Sequence, residues 1–455
     1  VPAVFLCVRG LGPRRGVLAA LLGGWLLLPC IDGRIDLPLV DTKIAFVTVT
    51  TLAASAALDL QRWLRLRPQP LDLAAALVAL GPFATALSNG LGAAEGLSAA
   101  AQAVTVFAGP YLLGRAYLGT PRGAAELARW VVGGALLYVP LCLWEIRMSP
   151  QLHRTLYGYH PFDYFGFAVR WGGYRPNVFL SFGLMLGTFM ATGALLAWWL
   201  WRTRTVTRLF GIPMGWAVAA LVLTTVAAKA TGAIILMLVG MAALEAARTR
   251  HGRAAVLVLC LTPPAFCAAR IAGWDADEIV EAAALVSADR AQSVAFRASH
   301  EQRLLDRAME RPWLGWGRWG RSRIHDEAGA DVSVTDSLWI ISLGTTGIAG
   351  LGALLALLVL PAALLLARFP ARRWSRPSLA PVSGLAVATV LWAADGLLNS
   401  MPNPLFPAMA GATVTFAGGR WRSLGVARRR RRAAAGGPAA GPGGAGPLPT
   451  GAGLP

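Results

Sequence analysis

Residues 336–367 read DSLWIISLGTTGIAGLGALLALLVLPAALLLA, with a single charged side chain, Asp336, before Arg368. An apolar run of that length covers the hydrocarbon layer of a bilayer, about 30 Å thick, as an α-helix. It has company along the whole chain. Comparable runs lie at 17–31, 41–58, 71–88, 97–114, 127–146, 177–201, 212–227, 231–247, 254–272, 379–398 and 405–419. The 212–247 stretch is one long run, divided at Lys229–Gly232 because a charge sits at its middle. The expected fold is therefore an all-α polytopic membrane protein with about twelve transmembrane helices.

Composition points the same way. Of the 455 residues, 56% are hydrophobic and 14% charged, with a mean hydropathy of +0.54. A soluble domain has about 45–50% apolar and 25% charged residues, so an ordinary cytosolic enzyme and a disordered chain are both excluded. The five cysteines, Cys7, Cys30, Cys142, Cys260 and Cys267, all fall in or beside apolar runs without metal-ligand spacing, as packing residues do. The apolar stub ending at Val8 is too short to span, lacks the usual layout of a signal peptide, and leaves room for a helix upstream.

The net charge of +19, from 42 basic and 23 acidic residues, would suggest nucleic acid in a soluble protein. Mapped onto alternate loops, it reads differently. Arg9/Arg14/Arg15, Arg62/Arg65/Arg67, Arg115/Arg122/Arg129, Arg202/Arg204/Arg208, Arg248/Arg250/Arg253, Arg368/Arg372/Arg373/Arg376 and the tail all fall on one side. That is the pattern of cytoplasmic loops, and it places both termini in the cytoplasm of a cell (inner) membrane protein with no nucleic-acid partner. The organisation expected is an N-terminal membrane region 1–272, a large outer loop 273–335, a C-terminal membrane region 336–420, and a basic, then Gly/Ala/Pro-rich disordered tail 421–455. The Arg428–Arg432 run in that tail suits anchoring to anionic lipid.

Two outer loops concentrate chemistry. Loop 147–176 carries His153, His160, Arg170 and Arg175; loop 273–335 has a helical pattern over 278–311 ended by Pro312. A loop of alternating Gly and Trp follows, WLGWGRWG at 313–320, and then His325, Asp326, Glu327 and Asp331. No phosphate-binding Gly loop, zinc motif, nucleophile elbow or ATPase signature is present in the sequence, and no cofactor is expected. Arginine suits a diphosphate because its planar fork makes paired charge-assisted bonds. Aromatic rings suit sugar faces. Blander readings stand beside each: Arg170 and Arg175 as interfacial anchors, and Trp313, Trp316 and Trp319 as an aromatic belt. Arg303, Arg307 and Arg311 read as a solvated helix face, and His153, His160, His300 and His325 as surface histidines. Lys229, Asp336 and Asp395, ionisable groups within or at the edge of apolar runs, are functional-site candidates.

The stretch RASHEQRLLDRAMERPWLGWGRWG at 297–320, followed by SVTDSLWIISLGTTGIAGL at 333–351, resembles the O-antigen ligase and O-antigen polymerase family. Pro312, Gly315 and Gly317 stand where that family has its P-x-x-G-x-G loop, and Gly347 and Gly350 where it has a later G-x-x-G. Arg170-WGGY-Arg175-Pro176-Asn177 is similar to its Arg…Pro-Asn lead into a span, and Ala228-Lys229-Ala230-Thr231-Gly232 to its Ser-Arg-Gly turn. The resemblance covers roughly 165–360. It implies a C-type glycosyltransferase-like architecture and transfer or polymerisation of polyprenyl-diphosphate-linked oligosaccharide onto an acceptor glycan or lipid, on the extracytoplasmic face. Membrane lipids and a polysaccharide-export complex are the other partners it implies. By this resemblance Arg170, Arg175 and Lys229 would bind the diphosphate, Arg297 and Asp336 would be catalytic, and Trp313, Trp316 and Trp319 would contact glycan. One departure bears on the chemistry: the family's His-Asn falls on Asp336-Ser337. An aspartate can take a proton but cannot be a cation beside a diphosphate, so the base role survives in Asp336 with a changed acceptor, moves to His300 or His325, or activity is lost. Two rival functions remain from the sequence, a transporter or flippase of lipid-linked glycans and a non-catalytic subunit of an envelope polysaccharide complex.

Overall fold

A computed structural model describes residues 2–31, 42–162, 164–170, 172–275, 277–285, 288–334 and 336–419. The 421–455 tail lies outside the described residues, as does the Trp319 side chain. Each apolar run of the sequence contains helix, and the only strands among the described residues are two-residue hairpin arms at Val169–Arg170/Gly173–Tyr174 and Arg208–Leu209/Ile212–Pro213.

Twelve full-length spans is the expectation that has to be corrected. Among the described residues five helices are long and apolar enough to cross a membrane: Ala93–Leu118, Pro121–Met148, Gly183–Arg202, Gly252–Ile271 and Leu338–Arg368. Lys43–Leu58, Asp72–Ser88, Met214–Ala227, Thr231–Ala246, Ala380–Asp395 and Leu405–Gly418 have 14 to 17 residues each. At 1.5 Å per residue a helix of 16 residues rises only about 24 Å. Local causes trim or divide the runs. The run at 177–201 becomes helical only at Gly183, because 177–180 is a hydrogen-bonded turn in which Val178 has φ 54° and Glu145 takes the Asn177 and Val178 N–H groups. The 212–247 run breaks where expected, at a turn in which Lys229 has φ 57°.

Burial sorts the helices into a centre and a rim. Gly183–Arg202, Ala380–Asp395 and Leu405–Gly418 are buried along almost their whole length. The outer helices expose large apolar side chains such as Leu77, Leu80, Leu143, Val258 and Leu261. A wide apolar rim around a packed centre is how a helical bundle meets lipid. The free cysteines bear out their reading as packing residues: Cys30, Cys142, Cys260 and Cys267 are buried and Cys7 partly so.

The 273–335 loop packs back on the bundle rather than standing apart, and the chain up to Gly418 forms one unit. Its main helix, Ala288–Met309, places Leu304, Leu305 and Ala308 against Cys267, Trp339, Ile340 and Leu343. The segment after it enters a break in Leu338–Arg368. At Gly347 that helix leaves helical geometry (φ 68°, ψ −169°), and the 312–317 backbone fills the gap. Trp316 and Gly317 donate to the Gly344 and Thr345 carbonyls (2.9 and 3.0 Å), while Ile348 and Ala349 donate to those of Pro312 and Trp313 (2.7 and 3.2 Å). Thr85 Oγ1 donates to Leu314 O at 2.7 Å, and Asn89 Nδ2 to Gly315 O at 3.0 Å, fixing the loop to a neighbouring helix. Thr85→Val should therefore lower stability by about 1 kcal/mol, the usual net worth of such a bond. Thermal unfolding in detergent measures it, and an unchanged midpoint would remove this tether from the account.

Candidate functional site

Three cations meet at the 170–175 hairpin. Arg175 Nη2 donates to the Lys229 carbonyl at 3.0 Å, and Lys229 Nζ donates to the Arg170 carbonyl at 3.0 Å. Arg170 is exposed, Lys229 half-buried, and Arg175 buried with its Nε unpaired. Burial, with the neighbouring Arg170 charge, pulls the Arg175 guanidinium down to about 10. Among the described residues no carboxylate pairs with any of the three. Positive charge held by backbone carbonyls and left unneutralised is the electrostatic form of an anion site. The residues expected at the diphosphate thus come together.

Sequence reasoning missed what holds this hairpin. Glu145, buried in the last turn of Pro121–Met148, accepts from the backbone N–H groups of Asn177 (2.8 Å), Val178 (2.7 Å) and Leu152 (3.1 Å). Lys43 Nζ reaches the carbonyls of Leu28 and Phe179. His153, expected at the surface, is instead buried. Its Nε2 accepts from Cys30 N at 3.0 Å, which leaves Nδ1 to donate to the Tyr159 carbonyl at 2.7 Å. The only sequence signal was a lone acid near the end of an apolar run, LCLWEIRM.

The second constellation lies where Ala288–Met309 meets the start of Leu338–Arg368. Arg297 Nη2 stands 3.6 Å from Asp336 Oδ2, and both side chains are about half exposed at 46% and 49%. His300 Nδ1 accepts from Val334 N at 3.3 Å. Glu301 accepts from Ser337 Oγ and Trp339 Nε1, each at 2.7 Å, with Arg270 Nε 3.7 Å behind it. Burial raises the Glu301 carboxyl above the usual range, against the lowering effect of those donors and Arg270. Arg297, His300 and Glu301 share one helix face by their i, i+3, i+4 spacing. His325 lies on an exposed bridge with Asp331.

A short chain of contacts joins the two constellations. Lys229 precedes Ala230, which abuts Gly187 so closely that a side chain there would collide. Next to Gly187, Thr188 Oγ1 lies 3.5 Å from Asp395 Oδ2. Asp395 also accepts from Asn399 Nδ2 at 2.8 Å, and the Asn399 carbonyl accepts from Leu338 N at 3.2 Å, two residues after Asp336. Asp395 is therefore a buried packing partner between the two clusters rather than an isolated charge. Both clusters lie toward one end of the bundle.

The tryptophans separate. Trp313 is exposed, whereas Trp316 donates its Nε1 to the Arg307 carbonyl at 2.7 Å. The guanidinium carbons of Arg307 and Arg311 lie 3.5 and 4.4 Å from the Trp316 ring centroid. Arg307 and Arg311 are thus partly engaged with this ring rather than forming a purely solvated face. Among the described residues no three His, Cys, Asp or Glu side chains are grouped as metal ligands. No protein-family pattern and no curated protein matches the chain.

Proposed function

We propose that the chain is a membrane glycosyltransferase of the O-antigen polymerase or ligase type, a multi-pass protein of the inner membrane with both termini cytoplasmic. The observation that carries this reading is the pair of clusters at one end of the bundle: three cations without carboxylate partners among the described residues, and an accessible Arg297–Asp336 pair. A polyprenyl-diphosphate-linked oligosaccharide brings its own leaving group, so transfer needs charge stabilisation and a base rather than an energy source. In the proposed step an acceptor sugar hydroxyl bonds to the anomeric carbon of the donor. The bond from that carbon to the phosphate oxygen breaks, and its electron pair leaves with the lipid diphosphate. Asp336 takes the hydroxyl proton, Arg297 and Arg175 stabilise the departing charge, and Arg170 and Lys229 hold the diphosphate. Exposed Trp313 offers a ring for a sugar face.

Arg297→Ala and Asp336→Asn are each expected to lower transfer by about 100-fold or more, the scale for losing a charge-stabilising or proton-accepting group. Expression in a deletion background, with surface polysaccharide sized on gels, measures it. Single units persisting in the deletion strain would mark a polymerase, and accumulated lipid-linked polymer a ligase. Unchanged polymer length and yield in both variants would sink the site assignment.

Transport of the same lipid-linked glycans is the rival reading that the sequence leaves open. The small cavity lined by Thr188, Thr192, Leu195, Met237, Leu391 and Trp392 has room for about one water molecule and is no pathway for a glycan. Movement of labelled lipid-linked glycan across liposomes without extension would select transport.

A further inference from the structure

We infer that Glu301 is a positioning residue: by holding Ser337 and Trp339 it sets Asp336 against Arg297 and so fixes the working geometry of the transfer site. The inference rests on the reading of Arg297 and Asp336 as that site, and it adds a residue that touches neither substrate nor the reacting atoms.

The argument starts from the helix Ala288–Met309. Residues three and four apart lie on one face of a helix, so Arg297, His300 and Glu301 all point at the same short segment. The contacts run in register: His300 takes the Val334 N–H, Arg297 faces Asp336, and Glu301 takes the Ser337 hydroxyl and the Trp339 indole N–H. Asp336 is half-exposed, and among the described residues Arg297 is the one side chain paired with it. Its backbone, however, is bracketed. Glu301 holds the next residue, and Leu338 and Trp339 donate to the Asn399 and Gly396 carbonyls at 3.2 Å each. Glu301 itself is fixed from behind by Arg270, which is wholly buried and whose Nη1 donates to the Trp274 carbonyl at 2.5 Å. Arg270 belongs to the helix Gly252–Ile271. One carboxylate therefore ties three helices together at the residue beside Asp336. A carboxylate is suited to this because it can accept from two donors and face a guanidinium at once.

The test uses the full chain in lipid nanodiscs. Glu301→Gln should lower kcat for transfer about 10- to 100-fold, the scale for misplacing a reacting group by about an ångström, while the donor KM moves less than about twofold. Amide hydrogen exchange across 336–341 should speed up about 10-fold, with Gly183–Arg202 unchanged. Ser337→Ala removes one of the two bonds and leaves the Arg270–Glu301 pair intact. It should give a weaker form of the same pattern, and it decides the matter if Glu301→Gln does not fold. Glu301→Asp should recover part of the lost kcat. Exchange at 336–341 unchanged in both variants, or raised equally throughout the chain, would overturn the positioning role. Local exchange rising in a protein that transfers no glycan even as wild type would instead overturn the transferase reading and leave the positioning intact.

Discussion

Gly347→Ala is expected to cost at least about 3 kcal/mol and to release the 312–317 loop from the bundle. Two independent penalties add. At φ 68° and ψ −169° the residue occupies a region that only glycine visits without strain. A Cβ there would also run into the Trp313 carbonyl group and come within 2.6 Å of Leu314 N. Relief would require moving the loop, and the loop is held by the four backbone bonds that bridge the break. Those bonds satisfy peptide groups that a broken helix otherwise leaves orphaned inside an apolar region, where each costs far more than in water. Gly352 is the control: it lies in the same helix with nothing near its missing Cβ, so Gly352→Ala should be neutral or stabilising by up to about 1 kcal/mol. Thermal unfolding in detergent, with hydrogen exchange over 312–317, reads both. Equal behaviour of the two variants would mean that the loop does not depend on the break.

That break shows what was legible in the sequence and what was not. The apolar runs were readable because transfer into hydrocarbon depends on composition summed over a window, which needs no knowledge of the partner helices. Their lengths as helices were not, because the ends are decided by distant groups that capture the backbone. Asn177 and Val178 look like the start of a span, yet Glu145, far back in the sequence, takes their N–H groups and holds them in a turn outside the helix. The order Pro312, Gly315, Gly317, Gly347, Gly350 was visible as a pattern. That the loop glycine Gly315 would press on Gly347 N, 2.7 Å from its missing Cβ, was not.

The site divides along the same line. Arg170, Arg175 and Lys229 could be grouped from charge and from the resemblance, and they do meet. Arg297 and Asp336 do too. The supporting carboxylates escaped notice because a lone acid in an apolar or mixed segment carries no spacing to interpret. Glu301 stands four residues after Arg297, a spacing that an ordinary solvated helix face also uses. Its actual cation partner, Arg270, comes from another helix and is wholly buried. The Trp triplet shows the opposite error, in which a conspicuous composition suggested one shared role. Trp316 is occupied by Arg307 and Arg311, and Trp313 alone of the described pair is open.

Glu145→Leu is expected to cost about 3 kcal/mol or more and to remove donor binding while leaving the bundle helical. The leucine fills the space but accepts nothing, so the buried N–H groups of Asn177 and Val178 lose their partners, at about 1–3 kcal/mol each, and Leu152 N loses one as well. The functional consequence follows from position. Arg175 lies two residues before the clamped Asn177, and its guanidinium is expected to reach Lys229 only while that segment stays in place. Releasing it should disperse the cation cluster, so that a soluble diphosphate probe, bound competitively with donor, loses about 10-fold or more in affinity. Glu145→Gln should fall between. Its amide carbonyl can still take the two bonds now made to Oε2, but its NH₂ would face Leu152 N–H, donor against donor. Unfolding midpoints, proteolysis of the 147–182 segment and probe binding test the three expectations together. If Glu145→Leu melts with the wild type and binds the probe as well, the clamp is not what assembles the cation cluster.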